Sequence, residues 1–295
     1  NTELIQAIAN AHDLGHSPFG HLGERVLRDI SKKELGEMFW HEQQGLRVVD
    51  DIETLLDPAG RTSNLMLTYA VRDGIICHCG EVHQTVLRPR TEAIALESIS
   101  KPNQCEPYTW EGCVVKVSDK IAYLGRDIED AVRLRILKED GKPLKDLKQE
   151  LNGHLHAQLE SVTNTAIMYP LITNICKEST PDKGLVLSKD HLDLMRRVME
   201  FNYTYIYHNK RLEVYHAYAR LILESIYGIL KACYAGAQTL ANVAALEEEA
   251  VKALTGESRL DLSIINQLMP KQKAALDQAK EEYQRILLAN QAEEE

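Results

Sequence analysis

The chain has 295 residues and a formal net charge of −10; 44% of its residues are apolar and 26% are charged. These globular values allow a sizeable buried core and exclude collagen-like, low-complexity and wholly disordered chains. No apolar run approaches the roughly 18 residues of a membrane span, and the acidic balance argues against a surface that coats nucleic acid.

Helical periodicity dominates from the start. Residues 1–11 read as a helix that runs into His12-Asp13, where Gly15 and Pro18 break it. Helical spacing resumes over about 19–30 and again over Glu42–Leu56, which Asp57-Pro58-Ala59-Gly60 stops. Residues 83–110 carry Pro89, Pro102 and Pro107 and read as a long loop. From Trp110 to Leu137 the pattern returns. Ile121, Leu124 and Ile128 share one face; Asp119, Tyr123, Asp127 and Asp130 share another. Further helices are predicted at about 144–176, 189–208 and 211–235. Two amphipathic helices, about 241–254 and 271–290, follow on either side of Gly256 and Pro270. There is no internal repeat and no convincing strand run, so the predicted fold class is all-α. Residues 1–235 are expected to form the catalytic domain, and 236–295 a helical extension on the core or at an oligomer interface. That tail carries 11 acidic and 6 basic residues, half of the chain's negative excess. The six cysteines are sparse, and no secretory pattern accompanies them. Reduced thiols in a cytoplasmic protein are the expectation.

The densest chemical signal is residues 11–24, Ala-His-Asp-Leu-Gly-His-Ser-Pro-Phe-Gly-His-Leu-Gly-Glu. Imidazoles and carboxylates together suit a first-row divalent metal. His12 and Asp13 are adjacent, so one helix end presents both. His16 follows His12 by four residues, on the same face if the helix persists.

His12-Asp13 within this string resembles the central motif of the HD-domain metal-dependent phosphohydrolases. The whole string is similar to their deoxynucleoside triphosphate triphosphohydrolase branch, the dGTPase-like proteins. Two further segments carry the likeness: Val117 to Asp130 and Phe39-Trp40-His41-Glu42-Gln43. Leu67 to Glu81, with Asp73-Gly74-Ile75 and His78, is a less specific match.

The resemblance implies one divalent metal ion, Mn, Mg, Fe, Co, Ni or Zn, held by His12, Asp13 and Asp119. It implies a further His ligand upstream of residue 1, so a preceding segment is expected. It makes His21 and Glu24 a catalytic pair, with His16 and His41 contacting phosphate or shuttling protons. Lys120, Tyr123 and Asp127 line one stripe; the resemblance gives them the phosphate, the deoxyribose ring and the 3′-hydroxyl. Tyr207 becomes a further sugar or base contact, weighed evenly against core packing. The implied reaction converts a deoxynucleoside triphosphate to deoxynucleoside and tripolyphosphate. An oligomer and a nucleotide activator are implied partners. Two alternatives stay open: an HD enzyme for nucleoside monophosphates or cyclic nucleotides, and a catalytically silent nucleotide-binding protein.

Other signals are weaker. Cys77-His78-Cys79 with His83 lacks the usual C-x-x-C spacing and reads as buried thiols before a zinc cluster. No P-loop string and no G-x-S-x-G is present.

Overall fold

A computed structural model describes residues 1–79, 85–155 and 158–234. The fold is mainly helical. The described helices are α1 (Thr2–Ala11), α2 (Gly20–Glu34), α3 (His41–Arg47), α4 (Tyr69–Cys77) and α5 (Trp110–Arg133), then α6 (Lys142–Leu155), α7 (Asn164–Glu178), α8 (Lys189–Phe201) and α9 (Leu212–Cys233). Two small antiparallel ribbons interrupt them, β1 (Thr54–Leu56) with β2 (Thr62–Asn64) and β3 (Val86–Leu87) with β4 (Leu185–Val186).

Local chemistry explains where the elements differ from the periodicity. The helix expected over Glu42–Leu56 stops early: α3 passes into a π-helical turn at Val48–Ile52, and Leu56 lies in β1. Asp57 accepts the amides of Ala59 and Arg61, both at 2.8 Å, so the predicted stop is a hairpin turn. The stretch 144–176 is two helices. Thr163 caps the second by accepting the Ala166 amide at 3.1 Å. After α8 the chain enters a second π-helical turn, Asn202–Tyr207. The predicted loop holds only β3 and a 3-10 turn at Leu96–Ser98 among its described residues. It is not loose, because Arg90 joins buried Asp73 and donates to the Glu106 carbonyl at 2.8 Å. The two tail helices and His83 lie outside the described residues.

The described residues fall into two compact units. The first is Asn1–Ser17 with Met38–Lys210. One of its core clusters holds Ile8, Leu46, Val49, Val71, Ile75 and Val115. Another holds Ile121, Leu124, Ile128, Leu171, Met195 and Val198. The predicted apolar face of α5 is therefore the buried one, and each fully buried aliphatic side chain there contributes about 1.5–3 kcal/mol.

Two close approaches set the first unit's geometry. A Cβ on Gly15 would lie 2.1 Å from the Gly45 amide nitrogen and the His41 carbonyl oxygen. Only glycine lets the turn after Asp13 press onto α3. A Cβ on Gly74 would lie 2.7 Å from Ile8, so α1 and α4 also meet closely. The second unit joins Pro18–Glu37 to residues 211–234. Within it α2 packs on α9, and Arg220 pairs with Asp29 at 2.9 Å.

Candidate active site

His12 caps the C-terminus of α1, Asp13 follows it in the turn, and Asp119 lies mid-way along α5. The fold brings these three together. His12 Nε2 is 3.4 Å from Asp13 Oδ2 and 3.7 Å from Asp119 Oδ1. His78, at the C-terminus of α4, joins them: His12, His78 and Asp119 each offer a ligand atom within 4.8 Å of the others.

The imidazoles are oriented by their backbone partners. His12 Nδ1 donates to the Ala9 carbonyl at 2.7 Å, and His78 Nδ1 donates to the Ile75 carbonyl at 2.7 Å. Each Nε2 is thereby left to face the carboxylates, the arrangement that metal-binding histidines use. A divalent ion fits this donor set of imidazole nitrogens and carboxylate oxygens.

The electrostatics agree. The Asp119 carboxylate, 3.7 Å away, raises His12 to about 9, against the pull of burial. Burial presses His78 down to about 4. Asp13 is held well below the usual carboxylate range, chiefly by its hydrogen bond with His16 and against burial. Burial pushes Asp119 up, but His12, Lys120 and His78 overcome it and keep the carboxylate low. Ionised carboxylates beside imidazoles are what a cation needs.

Around Asp13 the histidines crowd. His16 Nδ1 is 3.4 Å from Oδ1; His41 Nε2 and His78 Nε2 are each 3.8 Å from the same oxygen. The His16 and His41 rings lie 4.9 Å apart. His41 opens α3 and is buried, as is Glu42 next to it. His21 and Glu24 belong to the second unit, on α2. There they face one another, with His21 Nδ1 3.5 Å from Glu24 Oε2, and Glu24 also pairs with Arg28.

The stripe on α5 has a partner that the sequence did not reveal. The Tyr207 hydroxyl donates to Asp127, and burial followed by this hydrogen bond drives the Tyr207 phenol far above its ordinary range. Asn202, in the same π-helical turn, donates to the Leu124 carbonyl at 2.9 Å and pins that turn to α5. Tyr123 and Tyr207 also pack against the core, so neither is purely a surface residue. Lys120 sits over the Tyr123 ring, 5.8 Å from its centre.

Sequence reasoning did not assign His78 or Glu42 to the site. Both lie in the segments noted for their likeness, but only their position against Asp13 and His41 distinguishes them. Cys77 and His78 diverge: the Cys77 thiol meets Cys105 at 3.5 Å, while His78 meets Asp13. Cys77, Cys79, Cys105, Cys113 and Cys176 are free thiols. No described helix is long and apolar enough to cross a membrane.

A His-Asp pair at a helix end thus faces an Asp from a later helix, a donor set suited to a divalent ion within a helical fold. Residues 1–124 match the HD domain. The chain is similar to proteins named deoxyguanosinetriphosphate triphosphohydrolase-like. That from Clostridium perfringens (strain 13 / Type A) is 34% identical over 229 residues, covering 77% of this chain and 56% of the relative. That from Desulfatibacillum aliphaticivorans is 34% identical over 209 residues, covering 71% and 50%. One from Caldanaerobacter subterraneus subsp. tengcongensis is 41% identical over 147 residues, covering 50% and 33%. The chain spans about half the length of the curated relatives it matches, or less.

Proposed function

We propose that this chain carries the catalytic site of a deoxynucleoside triphosphate triphosphohydrolase. The observation that bears most weight is on α5. Asp119 faces His12 there, and the Lys120–Tyr123–Asp127 stripe continues along the same helix, with Tyr207 bonded to Asp127. The names of the relatives point to the same substrate class.

In this reading water adds at the α-phosphorus and the bond to the 5′-oxygen breaks, giving deoxynucleoside and tripolyphosphate. His12, Asp13 and Asp119 would hold one divalent ion, which when bound polarises the phosphate and lowers the pKa of a water. Lys120 offsets phosphate charge. Tyr123 packs on the sugar and excludes a 2′-hydroxyl, and Asp127 accepts from the 3′-hydroxyl. Glu24 orients the His21 imidazole, which moves a proton during bond cleavage; these two roles rest on the family resemblance. His16 and His41 serve phosphate oxygens or relay protons. An oligomeric assembly and an activating nucleotide belong to the same reading and also rest on resemblance. The test is turnover of each of the four deoxynucleoside triphosphates with Mn²⁺ or Mg²⁺. Tripolyphosphate as the product supports the proposal; orthophosphate as the first product would sink it.

A further inference from the structure

Two thiols outside the His12–Asp13–Asp119 site stand against each other. Cys77 Sγ, at the end of α4, is 3.5 Å from Cys105 Sγ, 28 residues further along the chain. A disulfide needs about 2.05 Å between its sulfurs, so side-chain rotation with a small shift closes the gap. The segment carrying Cys105 is pinned on both sides. Buried Lys116 of α5 donates to Asn103 Oδ1 at 2.9 Å and pairs with Glu106 Oε2 at 3.0 Å. Arg90 donates to the Glu106 carbonyl at 2.8 Å and pairs with Asp73 of α4, and Asp73 accepts the Tyr108 amide at 2.6 Å. Asp73 and Cys77 share α4, so the anchors that fix Cys105 also set it against Cys77.

The two thiols differ in access. Cys77 is buried and Cys105 half-buried, so a small solute meets Cys105 first. The Cys77 thiol donates to Asp73 Oδ1 at 3.7 Å, and Arg90 Nη1 is 3.8 Å from the same sulfur. The proton has an acceptor and the sulfur a cation beside it. We propose that Cys77 and Cys105 form a redox modification site whose reactant is hydrogen peroxide. The Cys105 sulfur attacks the peroxide: an S–O bond forms, the O–O bond breaks, and the leaving oxygen departs as water with the Cys105 thiol proton. The Cys77 sulfur then attacks the Cys105 sulfenic acid: the S–S bond forms, the S–O bond breaks, and a second water leaves with the Cys77 proton. Two thiols are oxidised and one peroxide is reduced. The disulfide ties the segment carrying Cys105 to α4 at the residue before His78. Nothing in this inference depends on which phosphate ester the protein hydrolyses.

Thiol mapping of the intact protein tests this. Fully reduced protein is treated with hydrogen peroxide, the remaining thiols are blocked, and peptides are read by mass spectrometry. A linked Cys77–Cys105 peptide is expected, and dithiothreitol should restore both thiols. The oxidised protein should melt about 5 °C higher, because the cross-link constrains the unfolded chain. Cys77→Ala should stop at the Cys105 sulfenic acid, which dimedone traps, and Cys105→Ser should leave Cys77 reduced. Circular dichroism verifies that each variant is folded. Exposed Cys176 is the internal control for oxidant. Oxidised Cys176 with Cys77 and Cys105 unlinked overturns the proposal, as does a link from Cys105 to Cys79. A linked protein that melts lower than the reduced one also overturns it, because such a bond would require the fold to distort.

Discussion

His12 Nε2 lies 3.7 Å from Asp119 Oδ1, joining the end of α1 to the middle of α5. The contact raises His12 to about 9, so without metal the imidazole is protonated at neutral pH. In the metal-free protein this contact stabilises fully below about pH 6.5 and is lost as pH rises through about 9. A divalent ion must displace the proton. Calorimetry in buffers of different ionisation enthalpy should show about one proton released per ion bound at His12, Asp13 and Asp119 at pH 7.5. Affinity should rise about tenfold per pH unit up to pH 9. Binding at pH 7.5 without proton release would contradict this.

Tyr207 holds Asp127 by a hydrogen bond, so removing the hydroxyl tests whether Asp127 is oriented for a sugar. Tyr207→Phe keeps the packing and leaves the carboxylate without that donor. A fall of about tenfold in kcat/KM for deoxynucleotides is expected, equivalent to about 1.4 kcal/mol. Unchanged kinetics would make the pair purely structural.

Selectivity for the sugar is expected to depend on the Tyr123 ring. Tyr123→Ala should raise ribonucleotide turnover relative to deoxyribonucleotide by about tenfold, the scale of one lost steric contact. Equal losses for both substrates would remove Tyr123 from the specificity site.

Much of this arrangement was legible in the chain. The period of the apolar residues marks α1, α5 and α9, and the stripe Ile121, Leu124, Ile128 is buried. His12, Asp13 and Asp119 are recognisable because the motif is local and α5 is long and regular. His78 was not, because its part is created by a close α1–α4 approach through Gly74 and Ile8. Neither was the Asp127–Tyr207 bond, which depends on a π-helical turn pinned by Asn202. Periodicity records which face is buried; it does not encode the register of a turn against a distant helix.

Gly15 offers a test of that long-range geometry. A methyl group there meets two backbone atoms at 2.1 Å, so neither can rotate away. Gly15→Ala should lower stability by about 1–3 kcal/mol in chemical denaturation. It should also weaken metal binding, because the turn carrying Asp13 must shift. A variant with wild-type stability would contradict the close approach.

The thiols separate by burial. Cys113 is buried and its thiol is pushed up to about 12, first by burial and then by Glu106. Cys176 is exposed. Brief iodoacetamide treatment of the folded protein at pH 8 should alkylate Cys176 and spare Cys113. Peptide mass spectrometry reads the result, and early modification of Cys113 would mean that α5 is less tightly packed.

The central claim concerns the bond that is broken. Phosphorus NMR of a reaction with Mn²⁺ and each deoxynucleoside triphosphate, run with the intact protein, measures it directly. The account predicts tripolyphosphate signals growing in step with free deoxynucleoside. Orthophosphate or pyrophosphate appearing first, with the nucleotide still phosphorylated, would contradict it.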